Sequence, residues 1–351
     1  MSSANYKVQI AAAAPSLSRV KPADREPIRV GVVQMRWHED AAKHLAVLNE
    51  GIALAASEGA KIVFLPELTL SRYMADTKPT VAPNSFAEPL IDGPTHRFAA
   101  AAAKAHGVFV HASLYEHQGD DARAQSEFAD QRGLNVAIVV DPSGNIVART
   151  PKLHIPVTAG YYEDKYFAEG PAAGEPYPVY EFELTGSSTG ASVAGKFGLP
   201  TCWDEWFAEV ARNYSLRGAE VLVYPTAIGS EPDHPDFDTA PLWRQVIVGN
   251  GISNGTFMVV PNRWGFEGAL NFYGNSFISD PYGRVLVQAA AEGNEVLVAD
   301  LDLDQRRDWL DLFPFLSTRR PDTYSALVQP VQNRRNDDGT NAGGGIAGVI
   351  G

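Results

Sequence analysis

The chain has 351 residues, 45% of them hydrophobic, enough to bury a large core as one big domain or two modest ones. Its 29 basic and 42 acidic side chains leave a formal charge of -13 with no dense run of Lys or Arg, which disfavours a nucleic-acid partner or an anionic membrane surface. A single cysteine excludes an intramolecular disulfide framework and fits a reducing cytoplasm, and no stretch approaches the roughly 20 apolar residues of a membrane-spanning helix.

Residues 1-27 lack the pattern of a secretory signal and read as an arm preceding the fold, either loose or clasping a neighbouring subunit. The first expected strand is Ile28 to Met35, followed by a helical pattern from about Asp40 to Glu58 that runs into Gly59. Lys61 to Leu65 reads as a buried strand, Thr95 to His106 as an Ala-rich helix, and Val108 to Leu114 and Leu134 to Val140 as further strands. Asp141-Pro142-Ser143-Gly144 supplies turn chemistry for a hairpin returning through Ile146 to Ala148. In the second half, a strand is expected at Phe197 to Leu199 and a helix from Asp204 to Arg217. The stretch from Gln329, with its run Gly343-Gly344-Gly345, has linker composition and reads as a flexible tail at 329-351, leaving 28-328 as the domain.

Three short phrases recur in the same order. Gly59-Ala60-Lys61-Ile62-Val63-Phe64-Leu65-Pro66 is similar to Gly218-Ala219-Glu220-Val221-Leu222-Val223-Tyr224-Pro225, Gly107-Val108-Phe109 to Gly255-Thr256-Phe257, and Asp141-Pro142-Ser143-Gly144 to Asp280-Pro281-Tyr282-Gly283. One such phrase recurs by chance in any α/β protein; three in register point to one domain of two pseudo-symmetric halves, with paired sheets inside and helices outside.

Three side chains stand where chemistry needs them. Cys202 lies between an expected strand and an expected helix start, where unpaired backbone N–H groups favour a thiolate; position alone leaves open a small buried core residue. Glu67 ends the apolar run Ile62 to Pro66, and a carboxylate at the mouth of a buried strand suits a general base, or else a loop ion pair with Arg72. Lys152 sits between Pro151 and Pro156, which hold the backbone extended, so its ammonium can face a developing oxyanion; an isolated loop lysine is more often solvated.

The phrases Phe64-Leu65-Pro66-Glu67, Pro151-Lys152-Leu153-His154-Ile155-Pro156 and Thr201-Cys202-Trp203-Asp204-Glu205-Trp206-Phe207 together resemble those of the nitrilase superfamily of carbon-nitrogen hydrolases, from about residue 28 to about 325. The second half is most similar to its N-carbamoylputrescine amidase branch, through Gly160-Tyr161-Tyr162-Glu163-Asp164-Lys165-Tyr166-Phe167 and Tyr224-Pro225-Thr226-Ala227-Ile228-Gly229-Ser230-Glu231-Pro232. The resemblance implies a four-layer αββα sandwich, a catalytic set of Glu67, Lys152 and Cys202 joined by Glu163, and an oxyanion hole completed by the Trp203 N–H. It also implies a homodimer or larger homo-oligomer and a hydrolysis that needs no metal or organic cofactor. Three departures stand out: Gly198-Leu199-Pro200-Thr201 carries a proline where relatives show an aliphatic strand, Phe207-Ala208-Glu209 replaces the usual Phe-Pro-Glu, and the loop Thr69-Leu70-Ser71-Arg72-Tyr73 differs from the putrescine branch.

The expected partner is a small molecule. Relatives that hydrolyse N-carbamoyl amino acids place Arg shortly after the nucleophile to hold a carboxylate. Here Asp204-Glu205-Trp206-Phe207 occupies that stretch, so an acidic and aromatic lining favours a ureido or amide compound with a distant amine. Glu231 is the candidate for that amine, with Tyr73, His154 and Asp204 as further pocket residues. An N-carbamoyl acid hydrolase, an amidase, a nitrilase, and a non-catalytic binding module of the same fold stay open as alternatives.

Overall fold

In the computed structural model, which describes residues 5–117, 132–170 and 175–329, Ile28, Val30 and Val32 point into one apolar layer while Val33 points into another. That is the period of a strand buried on both faces. The chain divides into two compact units, Met1–Phe313 and Pro314–Gly351.

In chain order the first unit holds strands β1 (Lys7–Ala11), β2 (Ile28–Gln34), β3 (Ile62–Phe64), β4 (Phe109–Glu116), β5 (Leu134–Val140), β6 (Ile146–Pro151), β7 (Val179–Thr185) and β8 (Ser192–Gly198). These are followed by β9 (Val221–Val223), β10 (Phe257–Val260), β11 (Trp264–Glu267), β12 (Leu270–Tyr273), β13 (Phe277–Ser279), β14 (Val285–Gln288) and β15 (Glu295–Leu301). The helices are α1 (Ala41–Ser57), α2 (Pro94–His106), α3 (Ala208–Leu216), α4 (Ala240–Asn254) and α5 (Asp304–Leu312). The Asp40 side chain accepts the Lys43 N–H at 2.7 Å and so fixes where α1 starts.

Among the described residues one sheet runs β1-β15-β2-β3-β4-β5-β6 and a second runs β14-β13-β10-β9-β8-β7, with β11 and β12 a separate hairpin. Side chains from both sheets, among them Val30, Phe64, Val139, Phe197, Val223 and Val259, share one buried layer. Helices α1 and α2 close the outer face of the first sheet through Leu48, Ile52, Ala99 and Ala103, and α3 and α4 close the second through Val210, Tyr214, Trp243 and Ile247. The layering is therefore αββα, and no described helix is long and apolar enough to cross a membrane.

The internal repeat has a structural counterpart. In each half a parallel β-α-β-α-β series (β2-α1-β3-α2-β4, and β8-α3-β9-α4-β10) is extended by an antiparallel pair, β5-β6 and β13-β14. The matching glycines share backbone angles: φ is 91° at Gly59 and 90° at Gly218, and 66° at Gly107 and 63° at Gly255. Each half then sends its last strand into the other sheet, β7 antiparallel to β8 and β15 antiparallel to β2.

Three expectations change. Of the arm expected at 1-27, the described part from residue 5 belongs to its own chain's fold: β1 adds in parallel to β15, pairing Lys7 with Glu295 through Ala11 with Ala299. Arg19 bonds Asp302 and Asp308, and Arg25 bonds Asp304 and Glu220, so ion pairs that composition alone does not locate hold the rest of the segment down. The single helix expected over Asp204 to Arg217 is a 3-10 turn, Cys202–Trp206, followed by α3, because Phe207 is extended (φ −97°, ψ 110°) and its ring stacks on His154 at 3.8 Å. Finally, the first unit ends at Phe313 rather than 328. In the second unit short 3-10 turns occupy Pro321–Thr323 and Ser325–Val328, and the Gly-rich tail lies outside the described residues.

Candidate active site

Glu67, Lys152 and Glu163 converge although each comes from a different loop. Glu67 follows β3, and its turn is latched to β4: Leu68 N–H donates to Ser113 Oγ at 3.0 Å, Ser113 N–H to Thr69 Oγ1 at 2.9 Å, and Thr69 Oγ1–H to Pro66 O at 2.9 Å. Lys152 follows β6, with its N–H bonded to Asn135 O and its carbonyl to the Gly170 N–H, both at 2.8 Å. Glu163 opens a one-turn 3-10 segment, Glu163–Lys165. The Lys152 ammonium, fully buried, donates to Glu67 Oε1 at 2.9 Å and to Glu163 Oε2 at 2.6 Å.

Glu67 is held on every side. Oε1 also accepts from Asn135 Nδ2 at 2.7 Å, and Oε2 accepts the Ala227 N–H at 2.9 Å. Glu163 Oε1 accepts from the Tyr73 hydroxyl at 2.8 Å. Burial pushes Glu163 up to about 7, with the Lys152 charge working against that shift and Glu67 reinforcing it. Burial disfavours the Lys152 ammonium, but Glu163 and Glu67 outweigh it and hold Lys152 charged well above its ordinary range. Tyr73, fully buried beside Glu163 and Glu67, is raised as well and stays a hydrogen-bond donor.

Cys202 opens the 3-10 turn after β8 in the left-handed region, with φ 45°. For a residue with a Cβ this backbone is strained and persists only where the surroundings impose it. The thiol differs from the sequence expectation: burial, then the Glu67 carboxylate, raise it well above its ordinary value, and Lys152 only partly offsets them. It therefore rests as S–H, and deprotonation needs a base. The Trp203 N–H lies in the first turn, ahead of the first internal bond of the 3-10 segment, Asp204 N–H to Thr201 O at 3.1 Å.

The remaining sequence candidates separate. Asp204, expected to line the pocket, accepts from Thr201 N–H, Leu153 N–H and His154 N–H at 3.1, 3.4 and 2.9 Å and contacts His154 Nδ1 at 2.7 Å, tying the Lys152 loop to the Cys202 turn. Tyr73 meets the site through Glu163. His154 is half-buried beneath Phe207, and Glu231 is half-buried, raised by desolvation, with its charge felt by Tyr161. Glu205 is fully buried: Oε1 accepts from Trp243 Nε1 at 2.8 Å and Oε2 has no partner, so burial keeps the carboxyl neutral and it does not repel a substrate carboxylate.

Sequence reasoning missed Asn135, Tyr161 and the Ala227 N–H. Asn135 had a signal, the one polar side chain in Leu134-Asn135-Val136-Ala137-Ile138-Val139-Val140. Tyr161, which accepts the Gly229 N–H at 3.0 Å and donates to Ser230 O at 3.1 Å, lies in the phrase Gly160-Tyr161-Tyr162-Glu163 that carries the resemblance but was not singled out there. The two departures that flank Cys202 leave the local backbone intact. Pro200 lies beyond β8 and interrupts no ladder bond, and Ala208 is the first residue of α3, where proline is merely one tolerated choice.

The sequence model of the family described as Carbon-nitrogen hydrolase matches residues 29–311. The chain belongs to that family, within the nitrilase superfamily. As a carbon-nitrogen hydrolase it is 32% identical to the citrullinase of Francisella tularensis over 86% of this chain and 98% of that one. It is 31% identical to the N-carbamoylputrescine amidase of Arabidopsis thaliana over 87% and 96%. Among solved structures it is similar to a carbon-nitrogen hydrolase from Helicobacter pylori, with a TM-score of 0.71 and 27% identity, covering 87% of this chain and all of that one.

Proposed function

We propose that this carbon-nitrogen hydrolase cleaves a small ureido compound carrying a distant amine, an N-carbamoyl amine such as N-carbamoylputrescine, with Cys202 as nucleophile. The observation that carries the reading is the buried Lys152 ammonium bridging Glu67 and Glu163 beside a neutral, backbone-strained thiol. As Sγ bonds to the carbonyl carbon, the thiol proton passes to Glu67. The C=O electron pair moves onto oxygen, where the Lys152 ammonium and the Trp203 N–H hold it. Collapse breaks the C–N bond, Glu67 returns the proton to the departing nitrogen, and ammonia leaves a carbonyl bound to sulfur. Water then gives a proton to Glu67, adds to that carbon and expels the thiolate, which recovers the proton.

Glu231 is the side chain for the distal ammonium. With Asp204 committed to backbone N–H groups and Glu205 neutral, Glu231 is the one of these three acidic side chains left to meet a cation. A ureido amino acid such as citrulline is the second reading, favoured by the 32% identity to a citrullinase. Ammonia release is measured on N-carbamoylputrescine, citrulline, N-carbamoyl-β-alanine, simple amides and nitriles, with Cys202→Ala as control. Preference for N-carbamoylputrescine, weakened by Glu231→Gln, is expected. Preference for a carboxylate would remove the role of Glu231 and leave the nucleophile in place, and turnover surviving in Cys202→Ala would overturn the mechanism.

A further inference from the structure

Arg263 and Glu267 form a buried ion pair outside the catalytic set, on the hairpin that follows β10. Arg263 Nη1 reaches both Glu267 oxygens, at 2.8 and 2.9 Å, and Nη2 donates to Glu67 O at 2.6 Å and Leu68 O at 3.1 Å. Both nitrogens also reach Ser71 O at 3.3 Å. Glu267 Oε2 in turn accepts the Tyr73 N–H at 2.8 Å. The guanidinium lies 5.5 Å from the centroid of the Phe272 ring, and both members of the pair are buried.

We propose that Arg263 and Glu267 are positioning residues for the reaction: one clamp from the second half fixes the 67–73 turn, and with it both Glu67 and, through Tyr73, Glu163. The roles of Glu67 and Glu163 rest on the functional reading above. Leu68, the residue after the base, has φ 49°, a left-handed conformation that a branched side chain leaves when nothing holds it. The guanidinium bonds the carbonyls on either side of that strained φ. If the turn relaxed, the Glu67 backbone would shift and its carboxylate would lose register with Lys152 and the thiol. Tyr73 would move with it, taking its hydroxyl from Glu163.

A purely stabilising role fits the chemistry less well. A buried ion pair is often replaceable by apolar side chains without loss of stability, whereas the fork of an arginine spans several fixed acceptors as no other side chain does. A lysine at 263 keeps the charge opposite Glu267 but cannot serve both that carboxylate and three carbonyls.

The test compares Arg263→Lys and Glu267→Gln with wild type in kcat, KM, melting temperature and the rate at which iodoacetamide alkylates Cys202, each across pH. Arg263→Lys is expected to lower kcat by about 10²-fold with KM changed only a few-fold, the cost of a base misplaced by about 1 Å. Glu267→Gln is expected to lose less and to shift the titration of Glu163, whose titratable neighbours are Lys152, Glu67, Tyr73, Tyr161 and Cys202. A merely structural role would scale activity at every pH with the folded fraction, and that result, or kcat within about twofold of wild type in both variants, overturns the proposal. If Arg263→Lys does not fold, Glu267→Gln carries the test. Alkylation needs no substrate, so an unaltered alkylation profile in the folded variants would defeat the clamp whichever compound the enzyme hydrolyses. Altered alkylation with no turnover of ureido compounds by wild type would sustain the clamp and sink the substrate reading.

Discussion

Glu67 and Thr226 occupy the same place in the two halves, each directly after a proline two residues past a central buried strand, yet one has a carboxyl and the other a hydroxyl. The two turns face each other: Glu67 N–H donates to Thr226 O at 3.3 Å, and the next N–H of the second turn, Ala227, donates to Glu67 Oε2 at 2.9 Å. Thr226 Oγ1 turns inward and donates to Pro261 O at 2.9 Å. Duplicated backbone thus serves two ends. On the proposed function, the first half offers the base, and the second offers the N–H that aims it together with the turn that bears the nucleophile.

That contrast can be broken by substitution. Cys202→Ala is expected to abolish turnover, by about 10⁴-fold or more, measured as ammonia release under saturating substrate. Glu67→Gln keeps the shape and the Ala227 contact but removes the proton acceptor, for a loss of about 10²- to 10⁴-fold in kcat. Its counterpart Thr226→Val is expected to cost about 1 kcal/mol in urea denaturation and to leave kcat within a few-fold, because Thr226 N–H still satisfies Pro261 O. Equal losses in kcat from the two changes would mean that the halves share the chemistry.

Proton linkage sharpens the comparison further. Glu163 has a folded pKa, about 7, above that of an ordinary carboxyl, so the unfolded chain releases this proton first as pH rises. Its contribution is fully present at low pH and is lost between about pH 4.5 and 7, by up to about 3 kcal/mol. Lys152 is charged in both states across that window and adds no slope there. Glu163→Gln should flatten that part of the stability profile, and an unchanged slope would place the titrating proton elsewhere. The smallest expected signal is spectroscopic. The native protein should show no ultraviolet thiolate absorbance at neutral pH relative to Cys202→Ala, since burial and Glu67 hold the thiol protonated.

Glu67, Lys152 and Cys202 stood out in the sequence because each follows a strand, and because the three phrases agree in order. The halves were legible from glycines, whose left-handed turns admit few substitutes. The arm was misread because Lys7 to Ala11 carries little apolar weight, and its place depends on β15, nearly three hundred residues further along the chain. Asp204 was misread for a different reason. A carboxylate beside a nucleophile looks the same in sequence whether it meets a substrate or ties two loops together, and only the hydrogen-bond partners distinguish them.

The exchange of last strands between the halves also bears on how the protein comes into being. The strand β15, which sits between β1 and β2 in the first sheet, leaves the ribosome long after Cys202, and until it arrives β2 has an open edge. Glu67 and Lys152 belong to that unfinished sheet. A chain ending before Glu295 would therefore present Cys202 while β2, the neighbour of the strand that leads to Glu67, lacks its antiparallel partner.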